Sequence, residues 1–322
     1  MKRVLITGAN GFSGRHLVER LRCADRSLFA LGRAPASGLP LEYACCDLTD
    51  RAAVRRAIER VEPDEVYHLA ACGPTEPAER QSAVIVDGFR NLCDALVATA
   101  ERTQRRVRML TVGSAAELGE AGLRTLPVRE DATCEPTTDY GRAKFAVTRV
   151  VAGLPSDGPV EVIVARTFNL VGPGLSERLS LGRFAQQVAA LQRGDVDRIR
   201  CGNLAHRRDF VDVRDAVRGY EAVLRQGRAG RIYNIATGRS HRLRDVLERL
   251  LALSGCRAPI ESDDGPLRAG DVADVFGCTE TTAEECGWRA TTSLERSLRD
   301  LLSAQLWNGP VPVSGRQIRS AG

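Results

Sequence analysis

A glycine-rich turn near the start of the sequence restricts the possible folds more than any other feature. An apolar run leads directly into Gly8, Gly11 and Gly14, and a helical pattern follows them. In a strand–turn–helix unit, such glycines permit the tight turn, the approach of backbone N–H groups to a ligand and close packing of the helix on the strand. The positive end of the helix then favours a bound phosphate. The spacing therefore predicts a dinucleotide site, with Asn10 and Phe12 of the turn as further contacts.

The pattern over residues 1–165 predicts the sheet to which this turn belongs. Strand candidates are residues 3–7, 27–31, 41–46, 65–70, 107–113 and 160–166. Helical patterns separate them, and the one at residues 50–61 has a single apolar stripe. Alternation of strands and helices is typical of a parallel sheet covered by helices on both faces. We therefore expect an α/β protein with a Rossmann-type, doubly wound parallel sheet.

The second half of the sequence has longer loops and predicts a smaller C-terminal lobe that binds the substrate. Helices are expected near residues 180–193 and 242–254, and a short strand near residues 210–213. Residues 259–271 are rich in Gly, Pro and Asp and predict a loop. Residues 308–322 predict a frayed tail.

Composition excludes several classes of protein. Of the 322 residues, 43% are apolar and 27% are charged, which is ordinary for a soluble globular protein. The 46 basic and 41 acidic residues give a net charge of only +5, which does not indicate a nucleic-acid-binding surface. No apolar stretch approaches the roughly 18 residues of a membrane helix. The first apolar run stops at Gly8, so no signal peptide is expected.

The cysteines and histidines predict no metal site. The 10 cysteines include no CxxC pair, and the 4 histidines include no HExxH motif. The cysteine spacing also fits no disulfide framework. We therefore expect free thiols in a reducing compartment, which favours a cytoplasmic location.

Residues at the ends of two predicted strands are expected to frame the adenosine half of the dinucleotide. Asp47 and Leu48 follow the third strand, where a carboxylate and an apolar side chain could hold adenine. The alternative for Asp47 is a role at the N-terminus of the next helix. Leu69, Ala70 and Ala71 follow the fourth strand, where small residues let a ribose lie against the backbone. The neighbouring histidine, at position 68, is expected to be a packed core residue.

The end of the second strand discriminates between the two nicotinamide cofactors. An NAD site usually offers a carboxylate there to the ribose 2′-OH. Residues 29–33 contain no acid, and Arg33 is placed to neutralise a 2′-phosphate. We therefore expect NADP to be preferred, although stacking of Arg33 on adenine would also allow NAD.

Three residues form a candidate catalytic group. Tyr140 and Lys144 lie four residues apart on a predicted helix, and therefore on one face. The ammonium group is expected to lower the pKa of the phenol and to bond the nicotinamide ribose. Ser114 ends the fifth strand and supplies a hydroxyl at the carboxyl edge of the sheet, where ligands bind in open α/β folds.

In this order, the glycine turn, the strand-end serine and the YxxxK pair resemble the extended short-chain dehydrogenase/reductases, the family of nucleotide-sugar epimerases, dehydratases and reductases. Residues 166–174 match the family's R-x-F-N-x-x-G-P-G motif, and the resemblance covers about residues 2–305. It implies that Ser114, Tyr140 and Lys144 are catalytic, with Tyr140 exchanging a proton with the sugar oxygen.

The same resemblance implies substrate contacts. Asn169, Arg208 and Arg268 match positions that contact the diphosphate of a nucleotide sugar, and a guanidinium group suits phosphate oxygens. The alternative for Arg208 is an ion pair with Asp209 or Asp212. The implied division of the chain is a dinucleotide-binding domain (1–168 and about 209–236), a nucleotide-sugar lobe (about 169–208 and 237–305) and a flexible tail (306–322).

Within the family, residues 202–220 are similar to the corresponding stretch of GDP-4-keto-6-deoxy-D-mannose reductases. The implied activity is reduction of a 4-keto nucleotide sugar with NADPH, or less favourably NADH. The alternatives are a 4-epimerase of UDP- or GDP-sugars with tightly bound NAD, and a non-catalytic dinucleotide sensor. A homodimer through helices near residues 82–101 and 138–152 is also implied.

Some positions depart from the family pattern. Ile85 replaces an asparagine, Leu118 replaces a tyrosine, and the segment of residues 72–85 is short. The acid that a dehydratase needs would lie at position 116, which is Ala116 here. Glu117 is expected to face away from the sugar, because adjacent side chains of an extended segment point to opposite sides. Its alternative role is to bond the local backbone.

Overall fold

The structure, a computed structural model, describes residues 1–22, 25–34, 39, 41–73, 75–120, 122, 125–263 and 272–306. Arg268 and most of the predicted loop and tail lie outside these residues.

Strands and helices alternate through the first half of the chain, as the sequence predicts. The strands are β1 (Lys2–Thr7), β2 (Arg26–Gly32), β3 (Glu42–Cys45), β4 (Glu65–His68), β5 (Val107–Ser114), β6 (Val160–Thr167), β7 (Asn169–Val171), β8 (Ile199–Cys201), β9 (Arg207–Arg208), β10 (Phe210–Asp212), β11 (Ile232–Ile235), β12 (His241–Arg242), β13 (Ile260–Ser262) and β14 (Asp274–Val275). The α-helices are α1 (Phe12–Leu21), α2 (Arg51–Val61), α3 (Ala78–Ser82), α4 (Gly88–Thr103), α5 (Asp139–Ala152), α6 (Ser180–Arg193), α7 (Val213–Gln226), α8 (Leu243–Ser254), α9 (Glu280–Cys286) and α10 (Leu294–Leu306). A π-helical turn, Ala83–Asp87, joins α3 to α4.

Seven of these strands form one parallel sheet in the order β11-β6-β5-β4-β1-β2-β3. The order reverses between β1 and β4, which makes the carboxyl ends of these two strands the switch point where such folds bind ligands. The predicted fold class, a doubly wound Rossmann-type sheet, is confirmed.

Alternate residues of β1 show why both faces of the sheet are covered. Val4 and Ile6 pack into a buried cluster with Tyr220 of α7, whereas Leu5 packs into a second cluster with Phe89 of α4. Successive side chains of a strand point to opposite faces, so a strand buried on both faces is apolar throughout. This explains the unbroken apolar run before the glycine turn.

The smaller lobe has its own buried cluster, formed mainly by α6, α8 and α10. Two short sheets flank it, β13-β8 and β12-β9-β14. The glycine turn is tied to this lobe, because Phe12 packs against the cluster and His16 Nε2 lies 3.0 Å from the carbonyl oxygen of Pro173. The proposed domain limits stay a prediction.

Several predicted boundaries need correction. The fourth strand ends at His68, because the next backbone N–H groups, of Leu69 and Ala70, bond the carbonyl and hydroxyl of Thr7. Ile260–Ser262 was expected in a loop but pairs with β8. Leu306 belongs to α10 rather than to the predicted tail. Across the described ranges, no helix is both long and apolar enough to cross a membrane.

Candidate functional site

The glycine turn lies at the switch point and leaves no room for a side chain at Gly8 or Gly14. Gly8 has φ +74°, and a Cβ on it would lie 2.8 Å from the backbone nitrogen of Ala70. A Cβ on Gly14 would lie 2.1 Å from the carbonyl oxygen of Gly8. Both positions therefore require glycine, and α1 begins directly after Gly11. The turn has the close backbone approach that a pyrophosphate site needs.

A cleft of about 300 Å³ opens above this turn. Gly8, Asn10 and Gly11 line it from the turn, and Arg33 lines it from the end of β2. Asn10 Nδ2 donates a hydrogen bond to the carbonyl oxygen of Ala34 (2.9 Å), which ties the turn to the end of β2. The other predicted residues of the turn, Phe12 and Gly14, do not line the cleft.

The predicted adenosine-binding residues also line this cleft. Asp47 and Leu48 border it after β3, and Leu69, Ala70 and Ala71 border it after β4. The helix-terminal role considered for Asp47 belongs instead to Asp50, whose side chain accepts a hydrogen bond from Ala53 N (2.9 Å).

Asp47 carries a negative charge into the cleft. Its carboxylate accepts hydrogen bonds from the backbone N–H (2.9 Å) and hydroxyl (2.8 Å) of Thr49. The first of these bonds is the largest cause of a lowered pKa for Asp47. Ionised Asp47 can accept hydrogen bonds from a ligand but cannot donate them.

Ser114, Tyr140 and Lys144 come together at the carboxyl edge of the sheet. Ser114 ends β5, and its Oγ accepts a hydrogen bond from Ala116 N (3.2 Å). Lys144 Nζ lies 5.9 Å from the ring centre of Tyr140 and donates a hydrogen bond to the carbonyl oxygen of Val112 (2.9 Å). Helix α5 approaches the turn after β5 closely, since a Cβ on Gly141 would lie 2.3 Å from the carbonyl oxygen of Ala116.

Burial sets the proton affinities of this group. It raises the pKa of Tyr140 to about 12, although the Ser114 hydroxyl acts in the opposite direction. Burial lowers the pKa of Lys144 to about 8, and the carboxylate of Glu117 partly offsets this. The expectation that Tyr140 would have a lowered pKa beside Lys144 is therefore wrong, because burial of the phenol is the dominant influence.

Glu117, close to this group, makes more contacts than the sequence predicts. It is fully buried in a 3₁₀ turn, Ala115–Glu117, rather than in an extended segment. Its Oε1 accepts from the Ser114 backbone N–H (2.7 Å), and its Oε2 accepts from the Thr148 hydroxyl of α5 (2.9 Å). Arg166 Nε lies 3.7 Å from Oε2, and both side chains of this ion pair are buried.

The side chain of Glu117 bonds the local backbone, which confirms the alternative role considered for it. That it faces away from the sugar stays a prediction. The signal that could have identified it is the spacing from Ser114 to Glu117, which is that of a capping box. His68 is a packed core residue, as expected. Burial lowers its pKa to about 3, and its Nδ1 lies 2.8 Å from the Thr7 hydroxyl.

The predicted substrate residues lie on short strands of the second half of the chain. Asn169 begins β7, and its Nδ2 donates to the carbonyl oxygen of Asp209 (3.4 Å). Arg208, on β9, donates to the carbonyl oxygens of Arg207 (2.8 Å) and Val272 (2.9 Å). Arg268 lies outside the described residues.

The alternative role of Arg208, an ion pair with Asp209 or Asp212, is wrong. In the residues that the structure describes, these two carboxylates have other partners. Asp209 accepts hydrogen bonds from the backbone and hydroxyl of Thr237. Asp212 pairs with Arg214 at 2.7 Å. Among the same residues, every cysteine is a free thiol, and no cluster of His, Cys, Asp and Glu could hold a metal ion.

Comparison with known proteins places this geometry in a family. The profile of the NAD dependent epimerase/dehydratase family matches residues 4–236. GDP-6-deoxy-D-mannose reductase of Pseudomonas aeruginosa is 27% identical over 307 residues, covering 94% of this chain and 96% of that protein. dTDP-6-deoxy-L-talose 4-dehydrogenase (NAD(P)(+)) of Kitasatospora kifunensis is 28% identical over 310 residues, covering 94% and 95%. The structure of RMD from Pseudomonas aeruginosa complexed with NADPH has a TM-score of 0.81 at 26% identity, covering 95% of this chain and 99% of that one.

Proposed function

Because the chain belongs to the NAD dependent epimerase/dehydratase family, we propose that it reduces a 4-keto nucleotide sugar, of the GDP-4-keto-6-deoxy-mannose type, with NADPH. The family match confirms the family that the sequence predicts. It also confirms that the cofactor is a nicotinamide dinucleotide. The reaction and the sugar are our proposal, and they are supported by the relatives that share about 27% of their residues with this chain.

The observation that carries the proposal is the grouping of Ser114, Tyr140 and Lys144 at the edge of the sheet. The dinucleotide cleft opens at the same carboxyl edge. The residues of the cleft fit a dinucleotide. Backbone atoms occupy the space that a Cβ would need at Gly8 and Gly14, as in a turn that approaches a pyrophosphate closely, and Asp47 presents a carboxylate to the cleft. A hydroxyl, a phenol and an ammonium group beside such a cleft suit proton transfer to an oxygen atom.

Each residue of the group has a distinct part in the proposed reaction. The bound dinucleotide would supply a hydride to the carbonyl carbon of the sugar. Tyr140 donates its phenolic proton to the carbonyl oxygen, which becomes a hydroxyl group, and Ser114 donates a hydrogen bond to the same oxygen. Lys144 stabilises the phenolate that Tyr140 leaves behind. A phenol with a pKa of about 12 remains protonated at neutral pH and is ready to act as the acid.

The proposal is tested by giving the purified protein GDP-mannose and GDP-4-keto-6-deoxy-mannose separately, each with NADPH. Absorbance of the reduced nicotinamide and NMR of the sugar follow the reaction. We expect NADPH oxidation and a 4-hydroxy product only with the keto sugar. Formation of a keto sugar from GDP-mannose alone, or no NADPH oxidation with any 4-keto sugar, would overturn the proposal. Inversion at C4 of a GDP- or UDP-sugar without net NADPH use would identify an epimerase instead.

A further inference from the structure

The hydroxyl of Tyr43 is a buried polar atom whose O–H finds no acceptor among the residues in the described ranges. The backbone of Ala34 lies near the phenol oxygen and acts to lower its pKa, so it is the donor function of the hydroxyl that is left open. The ring of Tyr43 is half-buried and lines the dinucleotide cleft together with Arg33 and Asp47. A buried hydroxyl without an acceptor is destabilising, because it has given up its hydrogen bonds to water without replacing them. A ligand in the cleft is the natural partner for such a group.

The position of the hydroxyl is fixed by the pairing of β3 with β2. The two strands are parallel, and Tyr43 is level with Ala30, two residues before Gly32. A Cβ on Gly32 would lie only 2.6 Å from the Tyr43 hydroxyl oxygen. The phenol therefore fills the space beside the last residue of β2. At this strand end an NAD site usually places the carboxylate that holds the ribose 2′-OH.

The groups around this hydroxyl favour an anion. Arg33 follows Gly32 directly, and its guanidinium group is exposed at the cleft. Burial raises the pKa of Tyr43, so the phenol stays protonated at neutral pH and can donate a hydrogen bond. Asn10 Nδ2 donates a hydrogen bond to the carbonyl oxygen of Ala34 (2.9 Å) and so holds the residue after Arg33 in place. The end of β2 thus offers a cation and a donor, but no acid.

We propose that the Tyr43 hydroxyl donates a hydrogen bond to the ribose 2′-phosphate of the dinucleotide and, with Arg33, selects NADPH over NADH. A phosphate has several acceptor oxygens, so it can bond the phenol and the guanidinium group together. This inference rests on the proposed function only in assuming that a nicotinamide dinucleotide occupies the cleft.

The test compares the binding of NADPH and NADH by isothermal titration calorimetry in the wild type and in Tyr43→Phe. The substitution removes only the hydroxyl. We expect the Kd for NADPH to rise about tenfold, as for the loss of a hydrogen bond to a charged group, and the Kd for NADH to change by less than about threefold. The melting temperature without ligand should change little, because the O–H group has no acceptor to lose within the described residues. An unchanged Kd for NADPH, or equal losses for both nucleotides, would overturn the inference.

Tyr67→Phe is the matched control. Tyr67, on β4, also has a buried hydroxyl without a partner among the described residues, but it does not line the cleft. Its substitution should leave both Kd values unchanged, and a loss of NADPH binding equal to that of Tyr43→Phe would refute a specific contact.

A second variant addresses the same contact from β2. Gly32→Ala places a methyl group against the Tyr43 hydroxyl and should displace it, with the same selective loss of NADPH binding. If the wild type bound neither nucleotide, the proposed function itself would fail. If the wild type bound NADPH and neither Tyr43→Phe nor Gly32→Ala weakened it, only the present inference would fail.

Discussion

At the scale of single residues, desolvation decides the chemistry of the candidate catalytic group. Tyr140 keeps its proton because its phenolate would be poorly solvated, while Lys144 has a pKa of only about 8 for the same reason. At neutral pH the phenol of Tyr140 is therefore protonated, and Lys144 loses its proton only slightly above neutral pH. The proposed reaction uses the proton of Tyr140 directly.

Tyr140→Phe should therefore abolish turnover and leave dinucleotide binding nearly unchanged. Loss of a general acid typically costs about 10²–10⁴-fold in rate, and the substitution removes only the transferable proton. Steady-state kinetics with the keto sugar and calorimetry with NADPH measure the two effects. A variant that kept more than half of the wild-type rate would remove Tyr140 from the mechanism.

The residues that could be predicted from the sequence are those whose role follows from spacing within a single strand, turn or helix. The glycines, Ser114 and the Tyr140–Lys144 pair follow from spacing along one strand or one helix. Tyr43 could not be recognised in this way, because its place beside Gly32 depends on the register of β3 against β2. The pKa of Tyr140 was predicted in the wrong direction for a similar reason, since burial is a property of the packed protein.

At the scale of elements, Glu117 joins three pieces of structure beneath the catalytic group. It bonds the turn after β5 through the Ser114 N–H, α5 through Thr148, and β6 through its ion pair with Arg166. Thr148 lies four residues after Lys144, on the same face of α5. The carboxylate thus orients the serine relative to the helix, and its charge raises the pKa of Lys144.

Glu117→Gln should move the alkaline limb of the rate profile to lower pH. As pH rises through about 8, Lys144 loses its proton and the activity should fall. Without the negative charge at position 117, the pKa of Lys144 decreases further, so the activity falls at a lower pH. The variant should also lose about 3 kcal/mol of unfolding free energy, because Arg166 remains buried without its counter-charge.

Thr148→Val is the control for this experiment. It removes the hydroxyl that bonds Glu117 but keeps the charge, so the alkaline limb should stay in place. The pH dependence of kcat/KM, with the melting temperature, measures both variants. If the limb did not move in Glu117→Gln, the influence of Glu117 on Lys144 would be refuted.

The elements themselves were predictable where they are long. The six strands predicted in the first half all form, with ends that differ by at most two residues. The signal is strongest in β6, where residues 162–165 are an unbroken apolar run because the strand is covered on both faces. Two-residue strands such as β9 and β12 leave no periodic signal, since their pairing depends on the packing of the lobe. Ile260–Ser262 was missed for the same reason.

At the scale of the whole molecule, the large sheet and the smaller lobe carry different sets of predicted binding residues. The dinucleotide cleft belongs to the large sheet, whereas Asn169 and Arg208 lie on short strands outside it. Phe12 and His16 tie the helix behind the glycine turn to the lobe. We expect the lobe to hold the nucleotide sugar while the sheet holds the dinucleotide. The homodimer and the cytoplasmic location remain predictions.

Arg208→Ala tests this division. If Arg208 binds the diphosphate of the sugar nucleotide, its loss should raise the KM for the keto sugar about tenfold or more, because a guanidinium–phosphate contact is among the stronger hydrogen-bonded pairs. The Kd for NADPH should stay within about twofold of the wild type. Arg207→Ala is the matched control, since its exposed side chain bonds Ser240 and pairs with Asp274 at 3.3 Å. Adjacent residues of a strand face opposite sides, so only one of the two arginines can face the substrate. An equal rise of KM in both variants, or weaker NADPH binding in Arg208→Ala alone, would contradict the assignment of the sugar nucleotide to the lobe.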